Sequence, residues 1–407
     1  MKETPIIPEI VQQFADDSAF LAMQRNQAHQ RDSETLADLM VLENRLHAHL
    51  NGLKVSGKAC WPFLEDNLSF EEYGEFFSAT HFSASRDMQE EFDSIYELAE
   101  PQPHLVNAMV DALIWIHSDN INALLSRLYS SENPNLQALV IRVLSECRKI
   151  SMEQLSLAFK SEEKPILLAS VLAAAENGFN PLHDLIKPLM DHDDEDIQFY
   201  AAWSAIRFSD AAAMERLKSF VNHPQFGDSA LQYVCMQKDS QNTIDLLKTL
   251  YQDEATILLA IKGLAYLGNV KSIPSLMELM EQDELAKAAG NAFSFITGVD
   301  LLAQGLYINK AEEDENESEN ETLVDLPWPD KNKIQHWWQI NHNRFDLNKR
   351  YFLGQEWSTQ QFKFALKSGR QQQRAYAALC LAVYQPGKAM FNVCAPVKRQ
   401  IANFNLV

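Results

Sequence analysis

A chain of 407 residues with 46% apolar and 22% charged residues is too apolar to be disordered, and it is long enough for two or three domains or an extended repeat array. Its 13 glycines and 15 prolines are few for this length, which argues against a large sheet joined by many tight turns. A net charge of −21 repels phosphate backbones, so the body is not expected to bind nucleic acid directly and is expected to attract a basic partner.

The charge is unevenly placed. Residues 61–100 hold eleven acids against Arg86, and residues 311–330 hold nine acids and no base. From Lys331 onward there are twelve Lys and Arg against Asp346 and Glu356. The five cysteines, Cys60, Cys147, Cys235, Cys380 and Cys394, form no CxxC pair, and they read as small core residues in a reducing compartment. The opening MKETPIIPEIVQQF lacks the apolar core of a secretory signal. The longest apolar stretch, Ile166–Ala175, is about half a membrane span. A cytoplasmic protein outside the membrane is expected.

In chain order, PEIVQQFADDSAFLAMQRNQAH and TLADLMVLENRLHAHLNGL read as amphipathic helices, with Asp32 or Ser33 as the cap of the second. SFEEYGEFFSATHFSA and DMQEEFDSIYELAE continue the helical pattern. Residues 1–103 are therefore expected to form a helical N-terminal cap.

A repeat follows. In 255–284, Ile257, Leu258, Ile261, Leu264 and Ala265 recur at helical spacing. Gly268-Asn269 supplies residues that tolerate left-handed geometry at the end of that helix, and Pro274 sits in the first turn of the next. The same plan returns every 29–31 residues from His104, Asn135, Pro165, Asp196, Gln225 and Glu254. In the fourth unit, Ala201, Ala202 and Ala205 allow close helix approach and Ser209-Asp210 makes the turn. A half-unit, LAKAAGNAFSFITG, closes the row. Each helix pair alone leaves an apolar face wet, so the pairs must stack. The expected fold class is all-α: an α-solenoid of short, about 30-residue HEAT-like repeats over 104–310. A non-repetitive bundle is the alternative.

Residues 311–326 are expected to be an acidic linker, too charged to order itself. Residues 327–407 then form a C-terminal helical module. Pro327 and Pro329 hold an extended segment around Trp328, and Asp330 caps a helix carrying Ile334, Trp337, Trp338 and Ile340. Trp328, Trp337 and Trp338 are expected to be structural anchors that dock this module, with an aromatic ligand cage as the alternative. RQQQRAYAALCLAVY adds a helix in which Ala375, Ala377 and Ala378 flank Tyr376.

The N-terminal PEIVQQFADDSAFLAMQRNQAH, RLHAHLNGLKVSGKACW, the block DLPWPDKNKIQHWWQINHNRFDLNKRYFLG and the terminal SGRQQQRAYAALCLAVYQPGKAMFNVCAPVKRQ together resemble an uncharacterised proteobacterial HEAT-repeat family. Some of its members are encoded near type VI secretion genes. The resemblance spans nearly the whole chain and implies a role around effectors, as an immunity protein, adaptor or chaperone. It implies no catalytic residue.

Motifs for chemistry are scarce. No GxGxxG, HExxH or GxSxG occurs, so the strongest dinucleotide, zinc and hydrolase signals are missing. GLKVSGKA (52–59) has Gly52, Gly57 and Lys58 at phosphate-loop spacing, but Ala59 stands where Ser or Thr belongs, and an inter-helix turn is expected. His47 and His49 are two apart on a helix and point apart, so no metal site is expected there. DHDDED (191–196) lacks the glycine and distal glutamate of a calcium loop and reads as a capping turn. A HEAT-like fold acting on DNA needs a basic concave face, whereas this array is acidic. The basic residues Arg370, Arg374, Lys398 and Arg399 are expected to pair internally or to aid solubility, with contact to phosphate as the alternative.

The function expected is non-enzymatic protein binding, with no cofactor, metal or catalytic residue. Under the resemblance the partner is a secreted effector with a basic surface, a toxin such as a nuclease, which this chain neutralises as an immunity protein. The candidate contacts are Asp191, Asp193, Asp194, Glu195, Asp253 and Glu254. An adaptor or chaperone that loads an effector, and an enzyme of lyase or nucleic-acid-modifying type, are the alternatives.

Overall fold

Local signals account for most helix boundaries in the computed structural model, which describes residues 6–116, 121–237, 241–310, 323 and 325–405. The opening helices are α1 (Pro8–Ala28), α2 (Leu36–Ser56), α3 (Trp61–Asn67), α4 (Tyr73–Ser85) and α5 (Gln89–Ala99). The cap of α2 is Thr35, not Asp32 or Ser33. Its hydroxyl accepts from the Asp38 amide while the Asp38 carboxylate accepts from the Thr35 N–H, a capping box that satisfies two orphan donors. Asp32 instead accepts a hydrogen bond from Asn291 Nδ2 at 2.6 Å. Gly57 (φ +73) ends α2 and opens a 3-10 turn, so the stretch 52–59 is partly helix and partly turn.

Next come α6 (Pro103–Ile116), α7 (Asn122–Tyr129), α8 (Pro134–Glu146), α9 (Met152–Ala158), α10 (Lys164–Glu176), α11 (His183–Ile186), α12 (Glu195–Ala205), α13 (Ala211–Ser219), α14 (Gly227–Met236), α15 (Gln241–Tyr251), α16 (Ile257–Leu267), α17 (Ile273–Leu279) and α18 (Asp283–Thr297). Gly268 ends α16 at φ +67, Ser209 takes φ +66, and Asp210 caps α13 through the Ala212 N–H. The expected acidic linker falls mostly on 311–322 and 324, outside the described residues. Beyond it lie α19 (Lys331–Asn341), α20 (Thr359–Ser368), α21 (Gln371–Tyr384) and α22 (Val397–Asn403). Asp330 caps α19 through the Lys333 N–H, as expected.

The protein is thus mostly helical. Among the described residues, the strands are two antiparallel pairs of two-residue strands, β1 (Tyr307–Ile308) with β2 (Trp328–Pro329) and β3 (Tyr351–Phe352) with β4 (Gln355–Glu356). Leu353 and Gly354 both take positive φ, 51° and 77°, the geometry of a tight two-residue hairpin turn.

By contacts the chain divides into two units. The first comprises residues 1–30, 34–204 and 387–407, and the second residues 31–33 and 205–386. This partition does not follow the segments 1–103, 104–310, 311–326 and 327–407: residues 387–407 belong to the first unit and the three tryptophans to the second.

In the first unit α4 packs on α6, α6 on α8 and α8 on α10, while α5, α7 and α9 each pack beside the next member of that row. The buried side chains Phe76, Phe77, Phe92, Leu105 and Leu113 belong to its core. In the second unit α14 packs on α16 and α16 on α18, flanked by α13, α15 and α17.

In both units a later segment meets carbonyl ends of the row. A helix leaves its last four C=O groups without partners. In the second unit Arg350 donates to the carbonyl oxygens of Cys235 (2.5 Å), Met236 (3.3 Å) and Gln237 (3.2 Å) at the end of α14, and of Tyr266 (3.2 Å) and Leu267 (2.6 Å) at the end of α16. The turn N–H groups of Leu353 and Gly354 donate to Phe295 and Ile296 at the end of α18, at 2.8 and 3.0 Å. In the first unit Arg399 donates to the carbonyls of Ile114 and Trp115 at the end of α6, Asn392 donates to the Glu146 carboxylate on α8, and the Met390 N–H donates to the Glu176 carbonyl of α10 at 2.8 Å. Arg370 pairs with Asp300 at 3.1 Å, Arg374 is fully buried and donates to the Leu366 carbonyl at 2.9 Å, and Lys398 is exposed.

Candidate functional site

Helix α1 carries Gln12, Asp16, Ala19, Phe20 and Met23, a set at helical spacing that shares one face. This face lines a cleft of about 330 Å³ in the first unit. The opposite wall is Asn67 at the end of α3, Phe70 in the turn after it, and Glu72 and Glu75 at the start of α4. Two features hold the walls together. Gly74 lets α4 approach α1 so closely that a Cβ there would overlap the Ala19 carbonyl. Asn67 Nδ2 donates across the cleft to Asp16 Oδ1 at 2.9 Å, and Gln12 Nε2 donates to the same oxygen at 2.6 Å.

The floor and lip are apolar: Ala19, Met23, Phe20 and Phe70, with Phe20 53% and Phe70 66% exposed. Large aromatic side chains so exposed beside one another form the kind of patch that marks a binding surface. The polar rim is acidic. Burial raises the proton affinity of Glu75, the neighbouring Glu72 and Asp16 charges add to that rise, and a hydrogen bond to its own backbone N–H opposes it. Glu72 and Glu75 also sit at the start of α4, where the helix dipole favours anions. Among the described residues, no Lys or Arg lines the cleft.

The acids singled out in the sequence are placed differently. Asp191 and Asp193 are exposed before α12, and Glu195 is exposed as its first residue. Asp194 accepts from the Ile197 N–H at 3.2 Å, and Lys164 bridges Asp194 and Asp196 at 2.7 and 2.6 Å. The hydrogen bond from Lys164 is the main cause of the lowered proton affinity of Asp194. Asp253 accepts from the Ala255 N–H at 3.0 Å, and it and Glu254 are exposed in the second unit. Asp194 and Asp253 thus close turns, and Asp194 and Asp196 share a cation.

The three tryptophans make separate contacts in the second unit. Trp328 stands in β2 with the ammonium groups of Lys287 and Lys310 at 5.0 and 4.3 Å from its ring centroid. Trp337 packs edge-on to Phe293 of α18 at 5.7 Å, and Trp338 packs on Phe345 at 5.4 Å. All three are half-buried.

A second polar assembly lies in the core of the first unit. Arg25 Nε meets Glu43 Oε1 at 2.8 Å, both buried, and the Glu43 carboxylate also accepts from the Val397 N–H at 2.7 Å. The Tyr73 hydroxyl donates to Asp111; burial, then the Asp111 charge, push its pKa up. Burial pushes Glu146 up to about 7, with the Glu176 and Asp111 charges adding to the rise. Among the described residues, no three His, Cys, Asp or Glu side chains come together as metal ligands would, and no helix is long and apolar enough to cross a membrane.

Sequence reasoning missed Gln12, Asp16, Phe20, Met23, Asn67 and Phe70. The signal present was the shared face of α1 together with the acid excess of 61–100. Comparison with family models, curated proteins and solved structures returned no match for this chain.

Proposed function

We propose that the protein is a non-enzymatic binding protein, an α-solenoid of short HEAT-like repeats that grips a basic protein partner. The packing of alternate helices on one another within each unit, each with its flanking helix, supports the repeat reading. One observation carries the binding reading: a cleft rimmed by Asp16, Glu72 and Glu75, lined also by the exposed Phe20 and Phe70, and with no Lys or Arg lining it among the described residues. A partner's Lys or Arg supplies the missing charge. Electrostatic complementarity of this kind speeds encounter and selects the partner, while buried aromatic and aliphatic groups supply most of the affinity.

The partner most consistent with the sequence resemblance is a type VI secretion effector with a basic surface, and the role is that of an immunity protein that blocks it by direct binding. The test is co-expression with the product of the neighbouring gene, reading capture and survival from its toxicity together. Capture with protection is expected. Capture without protection indicates an adaptor that loads the effector, and neither capture nor protection at low salt contradicts the proposal.

A further inference from the structure

The cleft between α1 and α4 is specific enough to say what part of a partner it takes. Its 330 Å³ lies at the low end of the roughly 300–1,000 Å³ range of ligand pockets, room for one or two side chains rather than a large cofactor. Its apolar surface comes from Ala19, Met23, Phe20 and Phe70, which places greasy and aromatic area beside the carboxylates. Asp16 is oriented from one side only: Gln12 and Asn67 both donate to Oδ1, and neither uses Oδ2. Glu72 and Glu75 line the same space, and no base does so among the described residues. A guanidinium fits these features together, because it is planar, donates to carboxylates in pairs and stacks on aromatic faces. An apolar neighbour in the same segment covers the phenylalanines.

We infer that this cleft holds a short peptide segment of the partner in which an arginine stands beside an aromatic or aliphatic residue. The inference rests on the protein-binding reading above and narrows it to one site and one chemistry. A second copy of this chain is a poor occupant, since each copy carries a net charge of −21 and like charges repel.

The experiment uses the full chain and a fluorescein-labelled ten-residue synthetic peptide in which Arg-Phe pairs alternate with glycine, read by anisotropy at low salt. Controls replace every Arg by Glu, or every Phe by Gly, and spermidine serves as a competitor. Saturable binding is expected, weakened at least tenfold in either control peptide and in Glu72→Lys and Phe70→Ser. Glu278→Lys, an equal charge change on an exposed residue of α17, is expected to leave it unchanged. Thermal melts of each variant separate lost binding from lost folding. Absence of binding to the wild-type chain, equal loss in Glu278→Lys, or full displacement by spermidine with no preference for Phe overturns the inference. So does a dimer in sedimentation that Phe70→Ser dissolves, which would put a second copy in the cleft. If Glu72→Lys still captures and neutralises the effector while the peptide fails to bind, the cleft assignment falls and the protein-binding reading stands. If the peptide binds and no effector is captured, it is that reading that falls.

Discussion

The guanidinium carbon of Arg350 lies 3.4 Å from the centroid of the Trp357 indole ring. Stacking leaves the guanidinium edge free, and its nitrogens donate to five backbone carbonyls at the ends of α14 and α16. One side chain therefore satisfies two helix ends at once and places a positive charge at the negative pole of both.

Arg350→Ala strips those carbonyls of their donor, and each buried group left unpaired costs about 1–3 kcal/mol. A total loss of roughly 3–5 kcal/mol is expected in urea unfolding of the full chain. Arg350→Lys recovers only part of it, because an ammonium cannot fork to both helix ends or stack in the same plane. Equal stability of the Lys variant and wild type would contradict the capping role.

In the first unit, Arg25 and Glu43 are 4% and 6% exposed and meet at 2.8 Å. Removing one partner of a buried pair costs about 3–5 kcal/mol, while replacing both by apolar residues costs much less. Arg25→Met and Glu43→Leu are each expected to destabilise strongly, with the double variant well above the sum of the two. Additive losses in that cycle would mean that the pair is not coupled.

Gly74 controls the spacing of the two cleft walls. Gly74→Ala forces its Cβ against backbone at Ala19, an overpacking worth roughly 1–3 kcal/mol. Both a lower melting temperature and weaker peptide binding are expected. A melting temperature at or above that of wild type would show that α1 and α4 do not approach as described.

Burial raises Glu146 to about 7 and Asp32 to about 6. A carboxyl whose folded pKa is raised binds more protons folded than unfolded, so its stabilising contribution is complete below the unfolded value, near 4, and is lost as pH rises through the folded one. Stability is therefore expected to fall between about pH 4 and pH 7 through these two groups, with Asp32 losing its share first. Glu146→Gln removes the upper part of that slope and raises stability at pH 8 relative to wild type, by roughly 1 kcal/mol or more. The check is urea unfolding at pH 5 and pH 8. A Gln variant that follows the wild-type slope would rule out Glu146 as its source.

What was legible in the sequence is what is local. The turn at Gly268, the start of α17 around Pro274, the turn at Ser209-Asp210 and the Asp330 cap all depend on neighbours within a few residues, and each is where the pattern put it. The α2 cap was misplaced by two or three residues because Asp32, Ser33 and Thr35 are all good caps, and only the reciprocal Asp38 contact chooses among them. Long-range pairings left no local trace. Nothing near Arg350 announces that it reaches residues 83 to 115 positions earlier, or that Arg399 ends beside Ile114, 285 positions away. The cleft was hidden for the same reason. The acid excess of 61–100 was plain, but its facing wall is α1, where Gln12 and Asp16 look like any solvated i, i+4 pair. The run 191–196 drew notice by density of charge, and capping and Lys164 account for Asp194 and Asp196.

The most direct test of the account is a calorimetric titration of the full chain with the product of the gene neighbouring its own, wild type against Glu72→Lys/Glu75→Lys, at about 50 and about 300 mM salt. The account predicts saturable one-to-one binding that weakens at least tenfold with salt and at least tenfold again in the double variant. Binding of equal strength in both proteins and at both salts, or no binding at all, would contradict it.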